Sequence, residues 1–478
     1  MRDPETVVAG HSLRTARAAA CALGGILAVV AVCALAVLVT GLVQRFDPAG
    51  FGLLAIWGLA MAAAVRSARS GRQAWVALLC AGAISLALRW WSVVLATGGE
   101  LGADPMNYAN LARAVLEGRG LVTDDWQYGE GLRAYFPPLY PLLLAGVWGL
   151  FGASAVSTLV LNTLTDLAAA WALGDVGRRT GGRSLGRLAM MAYFAWPAFA
   201  LAAGLPQKES LTLLLCILLL RAVIVWQAAD VDESARPRHG LWIGLWWGLL
   251  ALTQPSLVIA PVFVSLVLVW QRGFWPVVRL GLWAMPTILA VLLPWWIRNW
   301  LVFQTFIPLT TASGIMINAA LRDSRLAFPP GLFALSEPER GAIMGQLAKD
   351  FIRHNPLVFL REASLSLAYG LAFEEASLAR FRHMTPALDA ASHARLEPLL
   401  QGAYVAVLVG ALRGCVRQFR RTLVDPVILY SLSLVLAIGA VNVWFEFGER
   451  HRLILTPFLL LLAGTALMQG RSGKSTTT

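Results

Sequence analysis

The sequence has few charged residues, and the acidic ones are the scarcer kind. Only 14% of its 478 residues are Asp, Glu, Lys or Arg, and the 27 acidic side chains are outnumbered by 39 basic ones. A soluble domain with 58% hydrophobic residues would have more apolar surface than its interior holds. Apolar runs of about 17 to 25 residues recur instead, and a helix of that length crosses a bilayer. The composition therefore predicts an all-α polytopic membrane protein.

Cysteine and histidine are also scarce, with five and six residues respectively. The cysteines lie in or beside apolar runs and form no CxxC pair, which is typical of small buried side chains and not of disulfides. The histidines lack the spacing of a zinc site, so we assign no metal ligand. Internal repeats and a separate soluble domain are not visible, and the lack of repeats disfavours a transporter.

Arginines at the ends of apolar runs account for most of the net charge of +12. Such residues orient spans and meet anionic lipid headgroups, so nucleic-acid binding is set aside as a function class. Because basic residues favour the cytoplasmic side, the runs predict about twelve spans with both termini inside. The predicted spans are residues 18–42, 51–65, 74–96, 155–173, 188–205, 211–226, 241–252, 257–270, 277–296, 399–412, 427–444 and 453–468.

One apolar segment, residues 139–151, is predicted to lie at the outer interface and not to span. It is short, and a span there would place the loop 178–187, which holds four arginines, outside the membrane. Two more helices are expected outside. Residues 338–353 form an amphipathic pattern with Ser336 near the N-cap, and 357–373 is interrupted by charged residues.

These expectations divide the chain into four parts. Residues 1–72 form a two-span extension, and 73–297 form a transmembrane core whose first outer loop is 97–153. Residues 298–398 form an extracytoplasmic loop with amphipathic helices. Residues 399–478 hold the C-terminal spans and a cytoplasmic tail.

The unusual polar residues gather at the predicted outer ends of the spans, where ionisable groups need partners or a ligand. Asp104 can accept a proton as a general base, or it can cap the helix that Pro105 opens, and the two roles are compatible. Lys208 and Glu209 can pair, or Glu209 can begin a helix. Arg298 can bind an anion, as can the arginines of 450–452, although headgroup anchoring explains each one alone.

Two other groups of carboxylates have alternative interpretations. Asp166 lies within a span, where it serves as a proton relay or, in the favoured interpretation, as a hydrogen-bonding link between helices. Asp124 and Asp125 can hold a divalent cation, but a solvated loop explains them more simply.

Short motifs in chain order resemble those of GT-C superfamily glycosyltransferases. The resemblance is to bacterial glycosyltransferase family 39-like proteins, which are related to protein O-mannosyltransferases and lipid A aminoarabinose transferases. It extends over residues 74–462, and the two spans before it look like an addition. The motifs are Asp104-x3-Tyr108-x3-Ala112, Gly118-Arg119-Gly120, Pro137-Pro138-Leu139-Tyr140-Pro141, Phe151-Gly152, Pro206-x2-Glu209-Ser210, Leu252-Thr253-x-Pro255, Pro294-Trp295-x2-Arg298-Asn299, Asn355-Pro356 and Glu449-Arg450-x-Arg452.

The resemblance implies an inverting hexosyl or pentosyl transferase that uses a polyprenyl-phosphate sugar outside the cytoplasmic membrane. The acceptor would be a hydroxyl of a cell-envelope glycan, a lipid or a protein, and a divalent cation is a possible cofactor. The catalytic base would be Asp104. The substrate-binding residues would be Tyr108, Lys208, Glu209, Arg298, Arg450 and Arg452. The sequence departs from many relatives in having Pro105 at an acidic position and Gln254 at a basic one.

Three rival functions stay open at this point. A lipid-linked sugar transporter or flippase would need polar groups through the whole depth of the bilayer, and only Asp166 clearly lies deep. A non-catalytic scaffold would use Asp104 and Arg298 for stability alone. A third possibility is a transferase whose donor is a lipid-linked oligosaccharide.

Overall fold

The computed structural model describes residues 4–44, 47–70, 74–98, 101–229, 236–372, 374, 389–418, 426–444 and 452–468. Within these ranges the regular secondary structure is helical apart from one antiparallel hairpin of β1 (Thr123–Asp125) and β2 (Gly129–Leu132). The helices are α1 (Pro4–Gln44), α2 (Pro48–Ser70), α3 (Ala74–Thr97), α4 (Ala103–Leu116), α5 (Leu139–Phe151), α6 (Ala155–Phe194), α7 (Pro197–Ala202), α8 (Glu209–Ala228), α9 (Pro237–Ala251), α10 (Ala260–Arg272), α11 (Phe274–Phe303), α12 (Ser313–Ala319), α13 (Glu337–His354), α14 (Pro356–Ala372), α15 (Ala390–Gln418), α16 (Pro426–Trp444) and α17 (Thr456–Met468).

Seven of the described helices are long and apolar enough to cross a membrane. Their apolar parts are Cys21–Gly41, Pro48–Arg69, Ala155–Phe194, Glu209–Ala228, Pro255–Arg272, Phe274–Phe303 and Ala390–Arg417. Shorter apolar helices cover Leu79–Val94, Leu139–Phe151, Tyr430–Val441 and Leu453–Met468. The prediction of an all-α polytopic fold is confirmed.

Helix α6 contains two of the predicted elements, joined at a kink. Gly181 and Gly182 leave helical geometry, and Gly182 has a φ of +84°, which an L side chain rarely adopts. This kink lies within residues 178–187, the predicted loop with four arginines, and we call it the turn of α6. The predicted span 188–205 is wrong as one helix, because α6 ends at Phe194 and Pro197 opens a new helix, as a residue without an N–H group does readily.

The two helices predicted for the later outer loop are confirmed. At the start of α13, Ser336 and Glu339 form a capping box that satisfies the first backbone N–H groups. Helix α5 also has the predicted bounds. Its 13 residues extend about 20 Å, less than the roughly 30 Å of a bilayer's hydrocarbon core, so its interfacial position remains a reasonable prediction.

Helices α9 and α11 pack closely along a row of glycines. Gly240, Gly244 and Gly248 occur every fourth residue, so they share one face of α9. A Cβ atom on Gly244 would lie 2.1 Å from the carbonyl oxygen of Ala284 on α11. Small residues at such spacing let two helix backbones approach within a membrane, where packing supplies much of the association energy.

We expect Gly244→Ala to destabilise the protein by about 1–3 kcal/mol, because the added methyl group forces α9 away from α11. Thermal unfolding in detergent would measure the effect. Gly281→Ala on α11 is the matched control, since a Cβ atom there meets nothing within 4 Å. Equal melting temperatures for the two variants would contradict this account of the packing.

Candidate active site

A cavity of about 480 Å³ lies where the segment after α4 meets the start of α8 and the turn after α9. Asp104 and Tyr108 of α4 line it together with Lys208, which comes from a distant part of the chain. Its other polar lining residues are Tyr128, Tyr135, Gln254, Ser256, Thr310 and Ser313. Three of the residues predicted for the site therefore meet at one cavity.

Asp104 is the second residue of α4 and is half-buried at the cavity. The prediction that it caps the helix is wrong, since α4 begins one residue earlier and Gly102 occupies the N-cap position. A carboxylate in the first turn is still favoured by the partial positive charge of the helix N-terminus. Asp104 lines the cavity from this first turn of α4.

Aromatic side chains form one side of the cavity. Tyr108 is one helical turn after Asp104 and packs edge-to-face on Phe136, with 5.6 Å between ring centres. Tyr128 stacks on Tyr135 at 4.8 Å, and Tyr135 packs on Phe136 at 5.1 Å. We call Tyr128, Tyr135 and Phe136 the aromatic wall.

The electrostatics of Tyr135 reflect this arrangement. Burial raises the pKa of its hydroxyl well above the ordinary value, and the nearby Tyr128 and the carboxylates of Asp104 and Asp125 raise this pKa further. Tyr135 therefore stays neutral at physiological pH and keeps its proton. Asp104 and the aromatic wall line the same cavity.

Lys208 supplies a positive charge to the cavity. It immediately precedes α8, and its Nζ atom lies 5.8 Å from the centre of the Tyr108 ring, within range of a cation–π contact. Glu209 is the first residue of α8, as one of the two alternatives for it predicted. Lys208, Glu209 and Gln254 also border a second pocket of about 20 Å³, enough for one water molecule.

The structure places Arg298 away from the cavity lining. Its guanidinium donates a hydrogen bond of 3.2 Å to the carbonyl oxygen of Leu121 and one of 3.0 Å to Asn299, and it lies over the Trp295 ring at 4.9 Å. Arg298 therefore ties the end of α11 to the first loop. Its predicted contact with a lipid phosphate stays a prediction.

The C-terminal arginines are placed differently again. Arg452 is fully buried, forms an ion pair with Glu374 and stacks on the Tyr404 ring at 3.9 Å. Gln401 accepts the backbone N–H of Glu374 at 2.8 Å. Arg450 lies outside the described residues. Arg452 thus serves the packing of the helices around the cavity and does not line it.

Asp124 and Asp125 belong to the β1–β2 hairpin, which the sequence analysis did not predict. The carboxylate of Asp125 accepts hydrogen bonds from the backbone N–H groups of Gln127 and Tyr128, at 2.8 and 2.9 Å, and from Asn107. Asp124 accepts the N–H of Gly131 at 2.7 Å. Both carboxylates shape the turn, and the part of the chain that the structure describes holds no cluster of three or more His, Cys, Asp or Glu residues suited to a metal.

Asp166 links two helices, as its favoured interpretation predicted. Its carboxylate forms a 2.9 Å ion pair with Arg89 of α3, and both side chains are almost wholly buried. Arg89 also donates to Ser85 at 3.2 Å and to Thr163 at 3.3 Å. The sequence analysis did not identify Arg89 as the partner.

The sequence analysis also missed the aromatic wall and Gln254 as parts of the site. Tyr128, Tyr135 and Phe136 are a group of aromatic residues within an otherwise polar loop, and that contrast is the signal which would have found them. Gln254 donates a 2.8 Å hydrogen bond to Ser256 and lines both pockets.

The architecture is similar to that of several solved structures. No family model and no curated protein matches the chain. The archaeal oligosaccharyltransferase AglB from Archaeoglobus fulgidus, solved with an inhibitory peptide and a dolichol-phosphate, is similar over 83% of this chain with a TM-score of 0.52 and 15% identity. The chain shares the fold of this oligosaccharyltransferase over that length. It is accordingly a multi-pass membrane protein.

Two further solved structures are similar to this chain. The A. fulgidus oligosaccharyltransferase tethered to an acceptor peptide with an NVT sequon matches 81% of the chain, with a TM-score of 0.50 and 15% identity. ArnT from Cupriavidus metallidurans bound to undecaprenyl phosphate matches 83% of this chain and 78% of its own, with a TM-score of 0.41 and 15% identity. The chain spans about half the length of the archaeal enzymes, 50% and 48% respectively. At these identities the likeness is one of fold.

Proposed function

We propose that this GT-C protein transfers a sugar from a polyprenyl-phosphate donor to an acceptor hydroxyl, with Asp104 as the base. The observation that carries the proposal is the meeting of Asp104 and Lys208 at one cavity of about 480 Å³. A general base and a cation for the departing phosphate are the two groups that this chemistry requires. The GT-C fold and the dolichol-phosphate bound to AglB support a lipid-linked donor.

The reaction proceeds by displacement at the anomeric carbon. The carboxylate of Asp104 takes the proton of the acceptor hydroxyl as that oxygen bonds to the anomeric carbon. The bond from this carbon to the phosphate oxygen breaks, and the polyprenyl phosphate leaves with its electron pair. Attack opposite the leaving group inverts the anomeric configuration. Lys208 offsets the negative charge of the phosphate in a partly desolvated site.

The proposed location follows from the distribution of charge. Loops rich in basic residues favour the cytoplasmic side, so the arginine-rich turn of α6 is assigned to the cytoplasm. Asp104 then faces the other side of the inner membrane. The acceptor is a hydroxyl of a cell-envelope glycan, a lipid or a protein. The donor's lipid chain stays in the bilayer while its phosphate reaches the cavity.

A transfer assay with purified protein in detergent tests the proposal. The donors are a panel of polyprenyl-phosphate sugars, and the acceptor is membrane extract. Transfer without a sealed compartment is the expected result, with product of inverted configuration. Donor binding without transfer to any acceptor would instead favour the lipid-linked sugar transporter or flippase.

We expect Lys208→Met to weaken donor binding by about tenfold to a hundredfold, since a charge-assisted contact to phosphate contributes about 1.5–3 kcal/mol. Binding of a polyprenyl-phosphate sugar and of the matched polyprenol would be measured by calorimetry. The loss should be confined to the phosphorylated ligand. Lys349→Met, on the exposed face of α13, is the control and should bind both ligands normally. Equal affinities of wild type and Lys208→Met for the phosphorylated ligand would remove this residue from the site.

A further inference from the structure

The aromatic wall lies on a segment with little secondary structure of its own. Strands β1 and β2 contain three and four residues, and an isolated two-stranded hairpin of this kind is marginally stable. Tyr135 and Phe136 follow the hairpin without any regular structure. Contacts from elsewhere in the chain must therefore hold the wall beside Asp104.

Glu337, the first residue of α13, supplies one such contact. Its buried carboxylate accepts the backbone N–H of Arg133 at 2.6 Å and that of Ala134 at 3.0 Å, and it also accepts the hydroxyl of Thr311. The N–H of Thr311 donates to the carbonyl oxygen of Ala134 at 3.0 Å. One carboxylate thus joins the residues directly before Tyr135 to two later segments, with hydrogen bonds strengthened by its charge.

Arg340 supplies the second contact from the same face of α13. Its guanidinium donates to the carbonyl oxygen of Tyr128 at 3.0 Å and to that of Glu130 at 3.3 Å. The guanidinium lies directly on Gly129, where a Cβ atom would be 2.2 Å from Nη1 and where φ is +101°. Arg340 therefore holds the hairpin turn that carries Tyr128.

The wall has the chemistry of a subsite for a sugar ring. Its three rings line the cavity, and the hydroxyl of Tyr135 stays neutral. The C–H face of a sugar ring packs on aromatic faces, and its hydroxyls are then free to meet the polar groups of the lining. Asp104 lines the same cavity, so a sugar ring bound at the wall shares that cavity with the base.

We propose that Glu337 and Arg340 are positioning residues that hold the aromatic wall as the subsite for the donor's sugar ring. The inference rests on the proposed function and names the part of the cavity that receives the transferred group. Both residues act through the backbone of the 128–134 segment and touch no reacting atom.

Hydrogen exchange and kinetics of Glu337→Gln test the proposal together. We expect exchange in peptides containing Arg133 and Ala134 to accelerate at least about tenfold, because the neutral amide replaces a charged acceptor. The KM for the donor should rise about tenfold or more, with a smaller fall in kcat. Glu339→Gln is the matched control, since Glu339 is on the same helix and, among the residues that the structure describes, hydrogen-bonds to Ser336 alone. It should leave both quantities at their wild-type values.

Arg340→Lys provides a second variant should Glu337→Gln fold poorly. Lysine keeps the charge but lacks the fork that reaches two carbonyl groups, so exchange around Tyr128 and the donor KM should both rise. Wild-type exchange and KM in the variants would overturn the proposal, as would faster exchange with an unchanged KM. Absence of transfer by the wild-type protein would instead refute the proposed function, whereas the exchange rates would still decide whether α13 holds the wall.

Discussion

Replacing Asp104 with asparagine is expected to lower the rate of sugar transfer by about 100- to 10,000-fold, the usual contribution of a general base. Asparagine keeps the size and the polarity of the side chain but cannot take the acceptor's proton. The start of α4 tolerates the change, because Gly102 and not Asp104 occupies the N-cap position. Donor affinity should therefore stay near the wild-type value while kcat falls.

Steady-state transfer and donor binding, measured on the same preparation, separate these two effects. Asp350→Asn is the control, since this carboxylate lies on α13, outside the cavity, and pairs with Arg353 at 3.1 Å. It should transfer sugar at the wild-type rate. Turnover near the wild-type rate in a stable Asp104→Asn protein would show that another group is the base.

Replacing Arg89 with methionine is expected to destabilise the protein by about 3–5 kcal/mol, because it leaves the carboxylate of Asp166 buried without its partner. Arg89 has 1% of its side chain exposed and Asp166 has none, so solvent cannot take over the lost contact. The guanidinium also packs over the Phe194 ring at 4.7 Å. Thermal and chemical unfolding in detergent would measure the loss.

The double variant Arg89→Met/Asp166→Leu separates the net stabilisation by the ion pair from the free-energy cost of leaving one charge unpaired. It should recover most of the lost stability, since apolar residues of similar size replace buried ion pairs at little cost. Arg119→Met is the control, because Arg119 pairs with Glu117 where both side chains are more than half exposed. A double variant as unstable as Arg89→Met alone would indicate that Asp166 has a role beyond this link.

The helices of this protein could be predicted because their signals are local. The length of each apolar run identifies most spans, and the Ser336 and Glu339 pair marks the start of α13 within three residues. The spacing of Asp104 and Tyr108 places both on one face of α4, and both line the cavity. In each case the interacting groups are neighbours along the helix, so the sequence order alone brings them together.

The sequence by itself therefore determined an all-α membrane protein, and its motifs, which resemble those of GT-C glycosyltransferases, made Asp104 the leading candidate for chemistry. Only the tertiary structure decided which distant groups join Asp104. Lys208 enters the cavity, whereas Arg298 turns to Leu121 and Arg452 pairs with Glu374. The physical reason is that arginine and lysine side chains carry the same charge, and packing between remote helices selects which of them lines the cavity with Asp104. The contact of Glu337 with Arg133, 204 residues away, depends on that packing in the same way.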